Sequence, residues 1–324
     1  MTQLYRTKME KRNNWFNNYH DIPQAGIKKG KRSLKDRLQY YNVDDFKYAT
    51  VVDLGCNMGQ MSFQSVDWGA KSVIGVEYDA TAVENAKKIQ TQIEGYDNLH
   101  FVVDDLDSNF FWNSIPTMDV VLFLSVIDTI ELENRYGILS KACSKTGKVM
   151  YFEGHGKQPR SKYLKNIIDY TDFSKVEYLG LTPTNRPFFR CTRDTLSVEE
   201  SIDHILSSPY KKIAVVGKSL AGKTSLKDKI LNRETGDRNI VDDLVLWKDV
   251  DTANKITIED VKELDNVVWM DYKALEYADD FDAVYFITPN EMQIGQNRPK
   301  KLPMRSPTIK NFENIKAVYT IKSY

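Results

Sequence analysis

The feature that most constrains this chain is the ten-residue stretch Val51–Gln60, VVDLGCNMGQ. An apolar run from Tyr48 to Val52 delivers Asp53, Gly55 and Gly59 bracket a short loop, and MSFQSVDWG follows with a helix-like pattern. Strand, tight glycine turn and helix start are thereby predicted in succession. Glycines at such a turn let the backbone approach a ligand closely, and the unpaired amides at the helix start favour electron-rich groups. Glu77, 22 residues beyond Gly55, closes the apolar run SVIGVE. An acid at the tip of a second strand can accept both ribose hydroxyls of a nucleoside. The pattern therefore predicts a seat for an adenosine-bearing cofactor, built from Gly55, Cys56, Asn57, Gly59 and Glu77.

A nicotinamide dinucleotide would need the same ribose acid. Three details favour S-adenosylmethionine instead: Asp53 stands two residues before the first glycine, Asn57 replaces the middle glycine, and a third strand, HFVVDDL, ends in acids. The run resembles the class I S-adenosylmethionine-dependent methyltransferases, whose first motif reads D-x-G-x-x-x-G. The resemblance implies a Rossmann-like seven-stranded domain with Glu77 on the ribose, Asp53 and the glycine loop on the methionine side, and Asp104 at the adenine amine with Asp105 and Leu106 beside it. It continues through DVVLFLSVIDTIE (Asp119–Glu131), a fourth strand whose catalytic-face loop carries Ser125, and it covers roughly residues 45–193.

From Thr50 onward, apolar strand-like runs alternate with amphipathic helical stretches, which predicts a parallel sheet covered by helices on both faces. The strands fall at 50–54, 72–77, 100–104, 118–125, 148–154, 175–181 and 187–192, and the last two should form an antiparallel edge hairpin across the turn-rich TPTNRP. SVEESIDHIL then reads as a capped helix, with Ser197 as N-cap and Glu200 three residues on. At 324 residues the chain exceeds one typical domain. The expected α/β organisation is a basic cap over 1–45, the methyltransferase domain over 46–195, a linker helix over 196–209 and a second, smaller domain over 210–324.

Charge and cysteine usage exclude several classes. Lys and Arg number 45 against 45 Asp and Glu, so no overall bias toward nucleic acid or membrane exists. Three widely spaced cysteines, Cys56, Cys143 and Cys191, form neither a disulfide framework nor a zinc site, which fits a reducing, cytoplasmic setting. No apolar run approaches the ~18 residues a membrane span needs, and the N-terminus lacks an apolar signal core. The balance hides a local asymmetry: residues 1–40 hold ten Lys and Arg against three acids, interleaved with Trp15, Phe16, Tyr19 and His20. Either this segment caps the pocket and grips a phosphorylated or nucleic-acid substrate, or it is a solvated helix packing its aromatics on the domain. Some methyltransferases of small molecules and surface sugars carry a similar-looking lead-in, G-x-R-S-x-x-x-R, before the first strand.

The second domain opens with KKIAVVGKSLAGKTSLKDKI, in which Gly217, Gly222, Lys223 and Thr224 fit G-x-x-x-x-G-K-[ST] between a strand and a helix. Loop amides there cradle phosphates, Lys223 neutralises them and the Thr224 hydroxyl ligates Mg²⁺. The stretch resembles the Walker A loop of P-loop NTPases and kinases, with Ala221 and Ser225 alongside and ATP as the implied nucleotide in a three-layer α/β domain. Asp271, ending VVWMD, is the candidate acid for the metal, and Asp242 and Asp243 in IVDDL are alternatives. Asn254-Lys255 is followed by Ile256 and Thr257, and no D-x-x-G occurs, so guanine specificity is unsupported. A basic, proline-rich loop, Arg298 to Arg305, follows the late strand AVYFIT and is either an arginine-supplying lid or a solvated surface loop.

For methyl transfer, Leu124-Ser125-Val126-Ile127 stands where amino methyltransferases of DNA bases place D/N-P-P-Y/F/W, and no Pro-Cys dipeptide exists for a cysteine nucleophile. Asp128, Glu153 and His155 are the candidate bases after strands four and five. The leading expectation is a two-headed enzyme transferring a methyl group and, through Lys223, a phosphoryl group to a small-molecule, sugar or nucleic-acid acceptor. The alternatives are a methyltransferase whose P-loop domain only senses nucleotide, and a nucleic-acid-binding modification factor. Neither the acceptor nor the oligomeric state is written in any motif.

Overall fold

A computed structural model describes residues 20–28, 30–129, 134–156, 158–217, 221–249, 251–271, 274, 277, 280–288 and 313–322. The chain divides into two compact units. The first comprises Met1–Pro159, Asn166–Asp172 and Tyr178–Arg193, and the second Arg160–Lys165, Phe173–Glu177 and Asp194–Tyr324. Trp15, Phe16 and Tyr19 of the basic segment, and the Arg298–Arg305 loop, lie outside the described residues.

The first unit is built on the strands β1 (Thr50–Leu54), β2 (Ser72–Glu77), β3 (Leu99–Val103), β4 (Met118–Leu124), β5 (Thr146–Glu153) and β7 (Pro187–Thr192), together with β6 (Lys175–Leu181) from Tyr178 onward. Their order is β3-β2-β1-β4-β5-β7, with β6 beside β7. The first five run parallel, and β7 is antiparallel to β5. Continuous apolar runs form these strands because helices leave little of the sheet to water: Val51, Val52 and Leu54 of β1 and Val120 to Phe123 of β4 are at most 1% exposed. The expected strands are all present, with ends displaced by at most two residues.

Helix Gln60–Asp67 returns from β1 and Ala80–Gln90 from β2, the latter capped by Asp79 accepting from the Thr81 amide at 2.8 Å. Phe101 of β3 lies where these elements meet. A methyl on Gly59 would come within 2.4 Å of its ring and one on Gly75 within 2.6 Å. Gly59 also has φ +82°, so the second glycine of the D-x-G-x-x-x-G loop is required twice, by conformation and by the ring beside it.

Residues 20–46 are packed rather than solvated. Ile22, Ala25, Ile27 and Leu34 join the core, and Tyr41, Phe46, Trp68, Tyr151 and Phe188 form one aromatic cluster. The Tyr151 hydroxyl donates to Asp45 at 2.5 Å, and Arg190 of β7 donates to the same carboxylate at 2.9 and 3.0 Å. Within residues 20–40 the only α-helical turn among the described residues is Lys35–Leu38, so a long solvated helix is not what this part forms. Burial of its apolar positions overrides the charge-based expectation.

The second unit carries β8 (Lys212–Gly217), β9 (Asn239–Asp242), β10 (Val245–Trp247), β11 (Ala253–Lys255), β12 (Val267–Met270), β13 (Ala283–Thr288) and β14 (Ala317–Lys322). The order is β11-β10-β9-β12-β8-β13-β14. β9, β12, β8, β13 and β14 are parallel, and β10 and β11 form an antiparallel extension. β8 is flanked by strands that follow it on opposite sides, so the direction of winding reverses there, and ligands bind beyond the carboxyl ends of strands at such a reversal. Ser197 and Glu200 form the expected reciprocal cap. The helix they start, Val198–Ser207, is no free connector: Ile202 and Ile205 are fully buried in this unit's core. Among the described residues no helix is long and apolar enough to cross a membrane.

Gly75→Ala should lower the unfolding free energy by about 1–3 kcal/mol, the usual cost of overpacking a filled core. Adding Phe101→Leu should cost less in that background than in the wild type, because the two changes share one space; chemical denaturation of the four proteins checks this.

Candidate active site

A cavity of about 300 Å³ opens in the first unit where the carboxyl ends of its parallel strands meet the N-terminal segment. Asp53, Gly55, Cys56, Asn57, Glu77, Asp104, Asp105, Leu106, Ser125 and His155, all singled out from the sequence, line it. Gly59, Asp128 and Glu153 do not, although each neighbours a residue that does or holds one in place.

Glu77 ends β2, where its carboxylate accepts from the backbone amides of Asn57 at 2.9 Å, Tyr78 at 3.0 Å and Asp79 at 3.2 Å. These bonds fix the acid and tie it to the glycine loop across the strand gap. Asn57 takes φ +51°, a left-handed conformation open to asparagine, and its own side chain accepts from the Met58 amide at 2.9 Å. That is why asparagine serves where a glycine was expected. Gly55 has φ +70°, and a methyl there would press to 2.8 Å of Val126.

Asp53 is 3% exposed and accepts from the Ser62 hydroxyl at 2.7 Å. Burial pushes its carboxyl up to about 6; the Ser62 bond and Arg37 oppose this, and the nearby charge of Glu77 adds to it. Burial likewise raises the Cys56 thiol well above its ordinary value, with Asp53 and Glu77 adding to the effect, so this cysteine is an apolar wall and not a nucleophile. After β3, the Asp104 carboxylate accepts from the Asp105 amide at 2.8 Å, and the Trp112 indole donates to the Leu106 carbonyl at 2.6 Å, which shapes the cavity wall there.

Glu153, a candidate base by sequence, is paired. It is fully buried at the end of β5, one carboxylate oxygen accepting from Arg32 and the other from Arg37. Burial alone would raise this carboxyl, but Arg37 and Arg32 outweigh it and hold it below the ordinary value. An acid with both oxygens engaged by arginines and lying away from the cavity wall is placed as a clamp for those two side chains. Asp128 is 4% exposed and engaged by Gln158 at 2.6 Å and Arg135 at 3.4 Å, so it too serves packing. His155 is the sequence-expected base that reaches the cavity.

The sequence reading missed His20, Arg32, Arg37, Gln60 and Arg186, which line the same cavity. Arg32 and Arg37 are the two arginines of Gly30-Lys31-Arg32-Ser33-Leu34-Lys35-Asp36-Arg37, the G-x-R-S-x-x-x-R lead-in. Their spacing was the available signal. Gly30 is needed because a methyl there would lie 2.2 Å from the Asp21 amide. The Gln60 amide gathers this segment by donating to the Asp21 carboxylate at 2.7 Å and the Arg32 carbonyl at 3.2 Å. His20 is held neutral, its pKa pushed well below the ordinary value by burial and then by Arg37, Arg32 and Arg186.

In the second unit, Lys223 opens the helix Lys223–Leu231 directly after Gly222, which takes φ +94°. Its ammonium donates to the Gly217 carbonyl at the end of β8, at 2.7 Å. Asp242 ends β9 and Asp271 follows β12, at 9% and 8% exposure. Burial and Asp243 raise the Asp242 carboxyl, Lys227 and Lys223 lower it, and Asp271 raises it again, so acids and lysines converge on the edge where β8 ends. Thr224 and Ser225 are exposed in the first helical turn, and Ala221 is buried beneath it against Gly217. No group of three or more His, Cys, Asp or Glu side chains able to hold a metal occurs among the described residues.

Residues 45–158 match a family model described as a methyltransferase domain. An uncharacterized protein of Methanocaldococcus jannaschii, MJ0284, is 31% identical over 102 residues, which are 29% of this chain and 44% of that protein. The chain thus spans less than half the length of the curated relative it matches. Among solved structures, the magnesium protoporphyrin IX methyltransferase of Synechocystis PCC 6803 with bound S-adenosylmethionine has 18% identity over 47% of this chain and 73% of that one, with a TM-score of 0.38. Monomeric WbdD has 14% identity, covering 58% and 49%, with a TM-score of 0.46. Residues 45–158 thus carry the match to a methyltransferase-domain model, and their parallel strands, ordered β3-β2-β1-β4-β5, form a Rossmann-like α/β sheet.

Proposed function

We propose that the first unit transfers a methyl group from S-adenosylmethionine to a small-molecule or sugar acceptor. The observation that carries this is Glu77: an acid at the tip of β2, fixed by three backbone amides and facing a cavity whose floor is the glycine loop. Ribose hydroxyls meet Glu77, the adenine amine meets Asp104, and the methionine ammonium is drawn toward Asp53. When bound, S-adenosylmethionine supplies an electrophilic methyl, and the chain's task is to align a nucleophile with it and exclude water. His155 accepts the acceptor's proton where the nucleophile carries one. A polymeric nucleic acid fits less well, because Arg32 and Arg37 of the basic segment are committed to Glu153.

The second unit is read as a P-loop domain that binds ATP with Mg²⁺ and transfers its terminal phosphoryl group. Support comes from the convergence of Lys223, Asp242 and Asp271 at the end of β8, the strand where the sheet's winding reverses. Lys223 leaves the Gly217 carbonyl to meet phosphate, and the acids hold the metal.

Calorimetry tests the cofactor seat. Wild type should bind S-adenosylhomocysteine, and Glu77→Ala should weaken it at least ten-fold, since a charged hydrogen bond contributes about 1.5–3 kcal/mol; unchanged affinity would remove Glu77 from the site. Asp53 yields a pH signature. Its folded pKa of about 6 stands above the ordinary 3.8, so its stabilising contribution is complete below pH 4 and lost as pH rises through 6. Relative to wild type, ligand-free Asp53→Asn should therefore gain up to ~3 kcal/mol of unfolding free energy between pH 4 and pH 8, while binding S-adenosylhomocysteine less tightly. Lys223→Ala should abolish phosphoryl transfer from γ-labelled ATP and leave methyl transfer largely intact. Label remaining wholly on ATP in the wild type, with ATP altering methyl-transfer rates, would identify a sensor instead.

A further inference from the structure

We infer that the methyl acceptor carries an anionic group, phosphate or carboxylate, which docks on Arg186 at the β5–β7 end of the cavity. The inference rests on reading this cavity as the methyl-transfer site, and it names the substrate class.

Charge is sorted along the sheet edge. Asp53, Glu77 and Asp104 come from β1, β2 and the end of β3, the half assigned to the cofactor. His155 follows β5 and Arg186 precedes β7, at the other end of the strand order. At that end Arg32 and Arg37 both bind Glu153, which leaves Arg186 to be accounted for. Arg186 has no carboxylate partner among the described residues, and its Nη1 is enclosed without a hydrogen-bond partner. An enclosed N–H group without an acceptor is costly to maintain in a stability-selected core, and it is expected where a ligand supplies the acceptor.

Arg186 is also held ready. The turn before β7 is closed by the Thr182 amide donating to the Arg186 carbonyl at 2.9 Å and the Asn185 amide donating to the Thr182 carbonyl at 2.7 Å. Gly156, at φ +77°, lets the turn after His155 lie against it; a methyl there would sit 2.9 Å from the Asn185 carbonyl oxygen. Two turns packed against each other thus bring Arg186 and His155 to the same cavity. The planar fork of arginine suits phosphate and carboxylate, which offer paired oxygens at matching spacing, whereas a neutral acceptor would leave this guanidinium uncompensated in a partly enclosed site.

The test uses the full chain saturated with S-adenosylhomocysteine and titrated calorimetrically with inorganic phosphate and, separately, malonate. The P-loop of the second unit can take phosphate too, so the quantity read is the difference between wild type and Arg186→Ala. At least one anion should bind ten-fold or more weakly to Arg186→Ala and to the bulkier Arg186→Gln, with partial recovery in Arg186→Lys; unchanged S-adenosylhomocysteine affinity shows that the variants are folded. Preference for phosphate assigns a phosphate ester, and preference for malonate a carboxylic acid. Superimposable titrations of wild type and both charge-removing variants for both anions would overturn the inference. Failure of S-adenosylhomocysteine to bind wild type would remove the methyl-transfer reading instead, with the anion difference still read in the same titration.

Discussion

One buried carboxylate organises the first unit. Glu153 lies at the end of β5, fully out of water, and its two oxygens hold Arg32 and Arg37. Ionised groups at such depth are tolerated only when each is paired, and removing one member of a buried set typically costs about 3–5 kcal/mol. The arrangement therefore demands that residues 20–37 stay on the sheet edge. From that placement follow the positions of His20 and Gln60, the Arg32 contact to the Ser125 hydroxyl at 3.3 Å, and the closure of the cavity on one side.

Much of this was legible in the sequence. The strand–glycine–helix run at Val51–Gln60, the acid 22 residues on, the strand ends and the Ser197 cap all depend on local chemistry or short-period patterning, and the structure shows each of them. The partners of Glu153 were legible only in part. A strand-end acid beside a histidine in FEGHG reads as a candidate base, and nothing local tells that two arginines more than a hundred residues earlier occupy both its oxygens. The G-x-R-S-x-x-x-R spacing marks those arginines as a pair without saying what they grip. Arg186 was invisible for a related reason: a single arginine in a turn acquires meaning only when β7 inserts antiparallel next to β5.

The helix from Val198 to Ser207 illustrates a different limit. Its cap and amphipathic pattern are local, and both formed as read, but which core receives Ile202 and Ile205 is a non-local fact. Read as a linker over 196–209, it packs instead into the core of the second unit.

The two ends of the cavity are anchored differently. At the cofactor end Glu77 is wired by backbone amides into β2 and the glycine loop, and Phe101 locks Gly59 and Gly75 beneath it; almost any change there disturbs the sheet itself. At the other end His155 and Arg186 are carried by two turns that lie against each other, Gly156 meeting the Asn185 carbonyl. Turns of this kind accept new side chains without loss of the scaffold. On the proposed reading, a lineage built on this chain changes its acceptor by exchanging two turns, while the cofactor seat stays as inherited.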